Sequence, residues 1–186
     1  CGANCSRLDY NTAVTITAAP DPGYVHSFGG ACAGVTATTC NLRMTSDHSV
    51  TVTYTITQRI LTLTTVGGGG TTRVNPPGIS CGASCLYYNY GTVVRVTAEP
   101  SANNQFTFSG GVCSGSGTTT TFCDVTMDLP RTVTVTYDLV PRTLTLTAGN
   151  GGSVSVTPGT ANCGANCQSY PHGTSLTLTA TPAANQ

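Results

Sequence analysis

The chain contains no tryptophan, no lysine and a single glutamate, Glu99, in 186 residues. Charged side chains make up 8% of it and cancel to a formal net charge of zero. Each shortage removes a class of function. Without clustered lysine and arginine there is no surface to displace counterions, so a nucleic-acid partner and a polybasic membrane-surface role are both excluded. The six aspartates are scattered, so no pair of carboxylates offers the acid and base of glycoside hydrolysis. No apolar run approaches the ~20 residues of a membrane span, and no stretch keeps a 3.6-residue apolar period. The missing lysines also remove the amine that an intramolecular isopeptide bond requires, which leaves covalent reinforcement to sulfur.

Other chemistry is equally thin. His26, His48 and His172 occupy unrelated positions and read as exposed loop residues, not bases or ligands. No serine triad can be assembled around them. Gly67–Gly70 has no Lys-Ser/Thr behind it and reads as a turn, not a phosphate loop. Calcium-loop and c-type haem motifs are absent. The expectation is therefore no enzyme, no catalytic or metal-binding residue and no cofactor.

What the chain does have is repetition. Cys1-Gly-Ala-Asn-Cys5, Cys81-Gly-Ala-Ser-Cys85 and Cys163-Gly-Ala-Asn-Cys167 recur with a period of 80 to 82 residues. Residues downstream of each copy recur in step: Val14, Val94 and Leu176, then Pro20, Pro100 and Pro182, then Phe28 and Phe108. Such a period marks a tandem array. Residues 1–57 read as a first copy without its leading hairpin, 58–139 as a complete copy, and 140–186 as a third without its second half. These boundaries fit either a window on a longer chain or copies completed by neighbouring molecules.

Alternation of period two runs throughout, as in Val50-Thr-Val-Thr-Tyr-Thr-Ile56, Leu61-Thr-Leu-Thr64 and Thr132-Val-Thr-Val-Thr-Tyr137. It sets Val, Leu, Ile and Tyr on one strand face and threonine on the other. Within the complete copy the pattern predicts a hairpin over 60–66 and 71–75, then strands over 92–98, 105–109, 122–127 and 131–138. The fold class is all-β: tandem small disulfide-stapled sheets of about 80 residues, grasp-like or sandwich-like. The link to the next copy, Asp138–Pro141, is very short. Met44 and Met127 hold matching positions suited to core packing, and Tyr54 and Tyr137 match in the last strand of their copies.

Ten cysteines in even pairs point to a disulfide framework from an oxidising compartment. Four cysteines per copy allow three pairings. One pair encloses three residues in every copy, and the other flanks a loop that changes length by two residues while both cysteines persist. That favours local closure as Cys1–Cys5, Cys32–Cys40, Cys81–Cys85, Cys113–Cys123 and Cys163–Cys167. A four-thiolate zinc site and a redox pair are the competing readings; no histidine joins at repeat spacing, and the short pair is one residue longer than Cys-x-x-Cys. The cluster Tyr87-Tyr88-Asn89-Tyr90 belongs to the middle copy alone and is the one candidate contact surface, for glycan or a neighbouring repeat, set against plain local packing.

These residues carry a family resemblance. Leu61-Thr-Leu-Thr, the glycine turn, Pro77-Gly-Ile-Ser-Cys-Gly-Ala-Ser-Cys85, Gly91-Thr-Val-Val-Arg-Val-Thr-Ala-Glu-Pro100, Phe106-Thr-Phe-Ser-Gly-Gly-Val-Cys113, Cys123-Asp-Val-Thr-Met127 and Arg131-Thr-Val-Thr-Val-Thr-Tyr137 together resemble the divergent internalin-type B repeat. The tryptophan that this family usually carries after the phenylalanine is replaced here by Phe28-Gly-Gly and Phe108-Ser-Gly-Gly. The resemblance implies a secreted or surface-displayed bacterial spacer or adhesin array with no shared catalytic residues. Two functions are expected on that basis: an extracellular stalk, surface layer or filament, or an adhesin or glycan-binding module on a secreted protein. The expected partners are neighbouring copies of the chain, through the Thr143–Thr157 hairpin that the first copy is without, and a surface polysaccharide.

Overall fold

The computed structural model describes residues 1–159, 162–164 and 166–183, so Gln186, the expected end of the third copy, lies outside the described residues. Among the described residues there are eighteen strands and no helix. They are β1 (Ala13–Thr17), β2 (Tyr24–Gly30), β3 (Thr39–Arg43), β4 (Val50–Ile56), β5 (Gln58–Val66) and β6 (Gly70–Asn75). Next come β7 (Ile79–Gly82), β8 (Cys85–Asn89), β9 (Val93–Pro100), β10 (Asn104–Ser109), β11 (Gly115–Gly117) and β12 (Thr121–Thr126). The last six are β13 (Arg131–Leu139), β14 (Pro141–Thr145), β15 (Gly152–Thr157), β16 (Asn162–Gly164), β17 (Cys167–Pro171) and β18 (Thr177–Pro182). The strand orders of the sheets are β1-β3, β2-β4, β11-β10-β13-β5-β8-β7, β12-β9-β6, β14-β17-β16 and β15-β18.

Contacts cluster into two compact units. One comprises Cys1–Leu61, Gly78–Val93 and Thr126–Arg131. Its first four strands form two antiparallel pairs, β1 with β3 and β2 with β4. Ala18, Phe28, Cys32 and Cys40 make a buried cluster there, with Ile16, Val35, Leu42, Val50 and Val52 packed against it. Alternation explains the selection: Val50 and Val52 turn inward on β4 while Thr51 and Thr53 face water. Phe28 lies opposite Val52, and the ring of His26 meets Phe28 edge-on at 5.4 Å.

The other unit comprises Thr62–Pro77, Val94–Val125 and Thr132–Gln186. Here the alternation is fully expressed in burial, with Val94, Val96, Ala98, Phe106, Val125, Val133 and Val135 all at 0–1% exposure. Phe106 and Phe108 stand on one face of β10, edge to face at 5.2 Å. The register of β10 on β13 sets Phe108 opposite Val135 and Phe106 opposite Tyr137. On β2 and β4 the same spacing sets Phe28 opposite Val52 and His26 opposite Tyr54.

The expected hairpin is not one. Segments 60–66 and 71–75 are strands, but β5 and β6 do not pair with each other. β5 lies between β13 and β8, while β6 pairs with β9 from Gly70 opposite Pro100 to Asn75 opposite Arg95. The glycine turn is therefore an arch from one sheet to another, and β14 and β15 part in the same way. The physical reason is cover. β9 and β13 each carry a row of apolar side chains, and one arch lets consecutive strands serve both. Gly67 has φ +80°, and a β-carbon added there would collide with the Tyr137 carbonyl of β13.

The matched positions also diverge. Met127 is fully buried and Met44 half-buried. Tyr137 is 3% exposed and Tyr54 is 45% exposed. The Tyr137 hydroxyl donates to the Thr71 carbonyl at 2.7 Å, and the Thr72 hydroxyl lies 3.1 Å from it. Both partners belong to the arch. Among the described residues Tyr54 lacks that cover; its hydroxyl accepts the Ala19 amide at 3.3 Å.

Candidate functional site: strand corners and sulfur bridges

Every cysteine is bridged. The structure joins Cys1 to Cys5, Cys32 to Cys40, Cys81 to Cys85, Cys113 to Cys123 and Cys163 to Cys167, with α-carbons 5.1–6.0 Å apart. The short bridges close a tight turn: Gly82 pairs with Cys85, and Gly164 with Cys167. The residue before the second cysteine is Asn4, Ser84 or Asn166, each with φ near +60°. That left-handed position suits Asn and is tolerated by small polar residues. The longer bridges do something else. Cys40 lies in β3 and Cys32 just beyond β2, so this bridge ties together two sheets whose backbones do not pair. Cys113–Cys123 likewise ties the connection between β10 and β11 to β12, in another sheet.

Two corners recur that strand alternation does not reveal. β4 runs into β5 through Thr57, and β13 into β14 through Val140. The Thr57 amide donates to the Gly23 carbonyl at 2.7 Å, and the Thr57 carbonyl accepts the Tyr90 amide at 2.8 Å. At the second corner the Val140 amide donates to the Asn103 carbonyl at 2.9 Å, and the Val140 carbonyl accepts the His172 amide at 3.1 Å. Gly23 and Asn103 each hold the positive-φ position of a four-residue turn, at 84° and 62°. Each corner also has its arginine. The Arg59 guanidinium lies 5.3 Å from the Tyr90 ring centroid and its Nε donates to the Asp128 carbonyl at 3.1 Å. Arg142 donates to the Asn103 side-chain oxygen at 3.4 Å. The signal was in the sequence: Gly23 and Asn103, Thr57 and Val140, Arg59 and Arg142, and Tyr90 and His172 are each separated by 80 to 83 residues. Substitution at three of those four positions hid it.

The tyrosines do not form one exposed surface. Tyr88 is buried, and burial raises its phenol pKa. Tyr87 is half-buried, and Tyr90 packs beneath Gly23 and Arg59. Ion pairs are peripheral. Arg95 grips Asp124 through two bonds of 2.8 and 2.9 Å, with its guanidinium 3.8 Å from the Phe122 ring centroid. Arg73 meets Glu99, and Arg131 meets Asp128. The guanidinium hydrogen bonds hold the Asp124 and Asp128 carboxyls below the usual range.

Two concavities lie among the described residues. A concavity beside Cys1–Cys5 is lined by Arg7, Asp47 and His48, whose Nε2 lies 3.2 Å from the Arg43 carbonyl oxygen. A second is lined by Leu146, Val154, the amides of Asn166 and Gln168 and small residues, with no titratable group among the described residues. Among the described residues no three metal-binding side chains converge, and no helix is long and apolar enough to cross a membrane.

Small sheets tied by bridges across sequence-local loops define a disulfide-stabilised all-β domain. The family model described as the divergent InlB B-repeat domain matches residues 2–58 and again residues 61–141, more than half of the chain, and the chain belongs to that family. Searches of curated proteins and of solved structures found no match.

Proposed function

We propose that the chain is an extracellular structural array, a segment of a stalk, surface layer or filament on a bacterial cell. The observation that carries this reading is the recurrent corner. We read Thr57 and Val140 as the joints between copies, each a single residue whose amide and carbonyl are both engaged, one on either side. A linker of that kind has little freedom to hinge, unlike a flexible coil. Rigid joints serve a chain that must hold distance. The bridges serve a chain that must last without chaperones: each copy is small and without tryptophan, and a core of that size supplies only a few kcal/mol. Chain entropy sets upper figures of about 2 and about 2.6 kcal/mol for closing the five-residue and nine-residue loops of the first copy. The low charge and the threonine faces suit a neutral, water-facing surface. The buried Tyr88 and covered Tyr90 weigh against a glycan-binding platform at residues 87–90.

The test is thiol labelling of the chain taken from the cells that make it. An alkylating reagent should add nothing before reduction and ten groups after it. Labelling of several cysteines before reduction would place the chain in a reducing compartment and end this reading.

A further inference from the structure

A chain that holds distance is pulled lengthwise, and the strand order of the complete copy decides how it meets that pull. Its first strand, β5, begins directly after the Thr57 joint, and β13 ends directly before the Val140 joint. Tension along the chain therefore enters at the start of β5 and leaves at the end of β13. The two strands are neighbours in one sheet. Contacts at either end give their direction. Arg59, near the start of β5, donates from Nε to the carbonyl of Asp128, just ahead of β13, at 3.1 Å. Gly67, just past the end of β5, lies against the carbonyl of Tyr137, near the end of β13. Start meets start and end meets end, so the strands run parallel.

Parallel strands loaded in this way do not peel. Tension draws β5 backward and β13 forward, each along its own axis. The evenly spaced bonds between them are loaded together, whereas the same pull on an antiparallel pair would part the bonds one at a time. Each strand is nine residues long against a mean of about 5–6, so more bonds share the load. Neither strand lies at the sheet edge, because β8 flanks β5 and β10 flanks β13. Leu61, Val133 and Val135 are at 0% exposure, which keeps water from replacing the ladder bonds as they stretch. The Tyr137 hydroxyl on the Thr71 carbonyl ties β13 to the strand beyond the arch, so a slip in register would break that bond as well.

We infer that β5 and β13 form a shear clamp, and that the complete copy carries tension along the chain. This rests on the reading of the chain as an array joined through Thr57 and Val140, and adds load-bearing to it. The bridges lie off the clamp. Cys81–Cys85 and Cys113–Cys123 both fall between the two strands in sequence, so they hold back the chain inside them when the clamp gives way. Their separations of 4 and 10 residues, less the α-carbon distances of 5.1 and 5.7 Å, keep about 40 Å of extended chain in reserve until a reductant arrives.

The experiment is single-molecule force spectroscopy on the full chain, held at two chosen points. The sequence has no lysine, so once the terminal amine is acetylated two introduced lysines are its only amines. Gln58→Lys with Leu139→Lys pulls on opposite ends of the clamp. Gln58→Lys with Leu129→Lys pulls on two strand starts that lie side by side. All three positions are exposed. The first attachment should need at least about twice the unfolding force of the second. In both, reductant should lengthen the released chain by about 40 Å. Circular dichroism matching the unsubstituted chain confirms that each form is folded, and Thr132→Lys in place of Leu129→Lys repeats the second attachment. Equal force in the two attachments, or more in the second, would overturn the clamp; with the gain on reduction still present, the structural array would stand without it. No gain on reduction would mean open thiols and would overturn both.

Discussion

Removing the Cys32–Cys40 bridge should cost far more than removing Cys1–Cys5, and the size of the gap separates two accounts of what a bridge does. By chain entropy alone the two loops are nearly equal, about 2.6 against about 2 kcal/mol. Surroundings separate them. Cys32 and Cys40 are 1% and 3% exposed, in contact with the Ala18–Phe28 cluster, and they tie two sheets that share no backbone pairing. Replacing both by alanine removes two buried sulfurs, roughly 1 kcal/mol each with the cavity they leave. The total is about 4–5 kcal/mol. Cys1 and Cys5 are exposed, and no strand begins before Ala13. A bridge there constrains folded and unfolded chains almost alike, so its loss should cost less than about 1 kcal/mol. The assay is hydrogen exchange read by mass spectrometry in peptides spanning β1 and β3, because two compact units can blend in a global unfolding curve. A gap of ~3 kcal/mol is a roughly hundredfold difference in protection. Equal protection in the Cys1→Ala/Cys5→Ala and Cys32→Ala/Cys40→Ala chains would refute the argument from burial.

Three further outcomes are set by the geometry. Tyr137→Phe removes the hydroxyl that holds the arch and should cost about 1–2 kcal/mol, while Tyr54→Phe should cost under about 0.5, both read from chemical denaturation of the oxidised chain. Gly67→Ala and Gly30→Ala force a side chain into a positive-φ site against the Tyr137 and Ser49 carbonyls, so each should cost more than about 1 kcal/mol. Gly68→Ala meets nothing and should be neutral in the same chemical denaturation. Asp124 and Asp128 have lowered pKa values when folded, so their contribution is present above about pH 4 and is lost as pH falls through the lower folded values. The oxidised chain should therefore show a shallow fall in melting temperature below pH 4, flatter in Asp124→Asn; because both carboxylates are exposed, a collapse there would contradict the assignment.

Much of this fold is visible in the order of residues. Val-Thr-Val-Thr runs fix both strand and face, because period two allows no other use of them; β13 keeps Val133, Val135 and Tyr137 inside as its alternation requires. Alternation says nothing of which strand a strand will meet. For that reason 60–66 and 71–75 read as partners and instead serve two sheets. The short strands around Cys81–Cys85 and β11 also escaped, since glycine and serine carry no apolar pattern there. The corners escaped for another reason. Their bonds run through backbone amides and carbonyls, which any residue supplies, so Thr57 could become Val140 and Tyr90 could become His172 with the geometry kept.

The two longer bridges have an effect on how the chain can be cut. The spans 33–39 and 114–122 are glycine-, serine- and threonine-rich and largely exposed, the composition that proteases enter most readily. Each lies wholly inside its own sulfur ring. A peptidase that cleaves there opens a ring without parting the molecule, and both new ends stay tethered until a reductant arrives. Damage at the most vulnerable sites would thus leave the chain in one covalent piece.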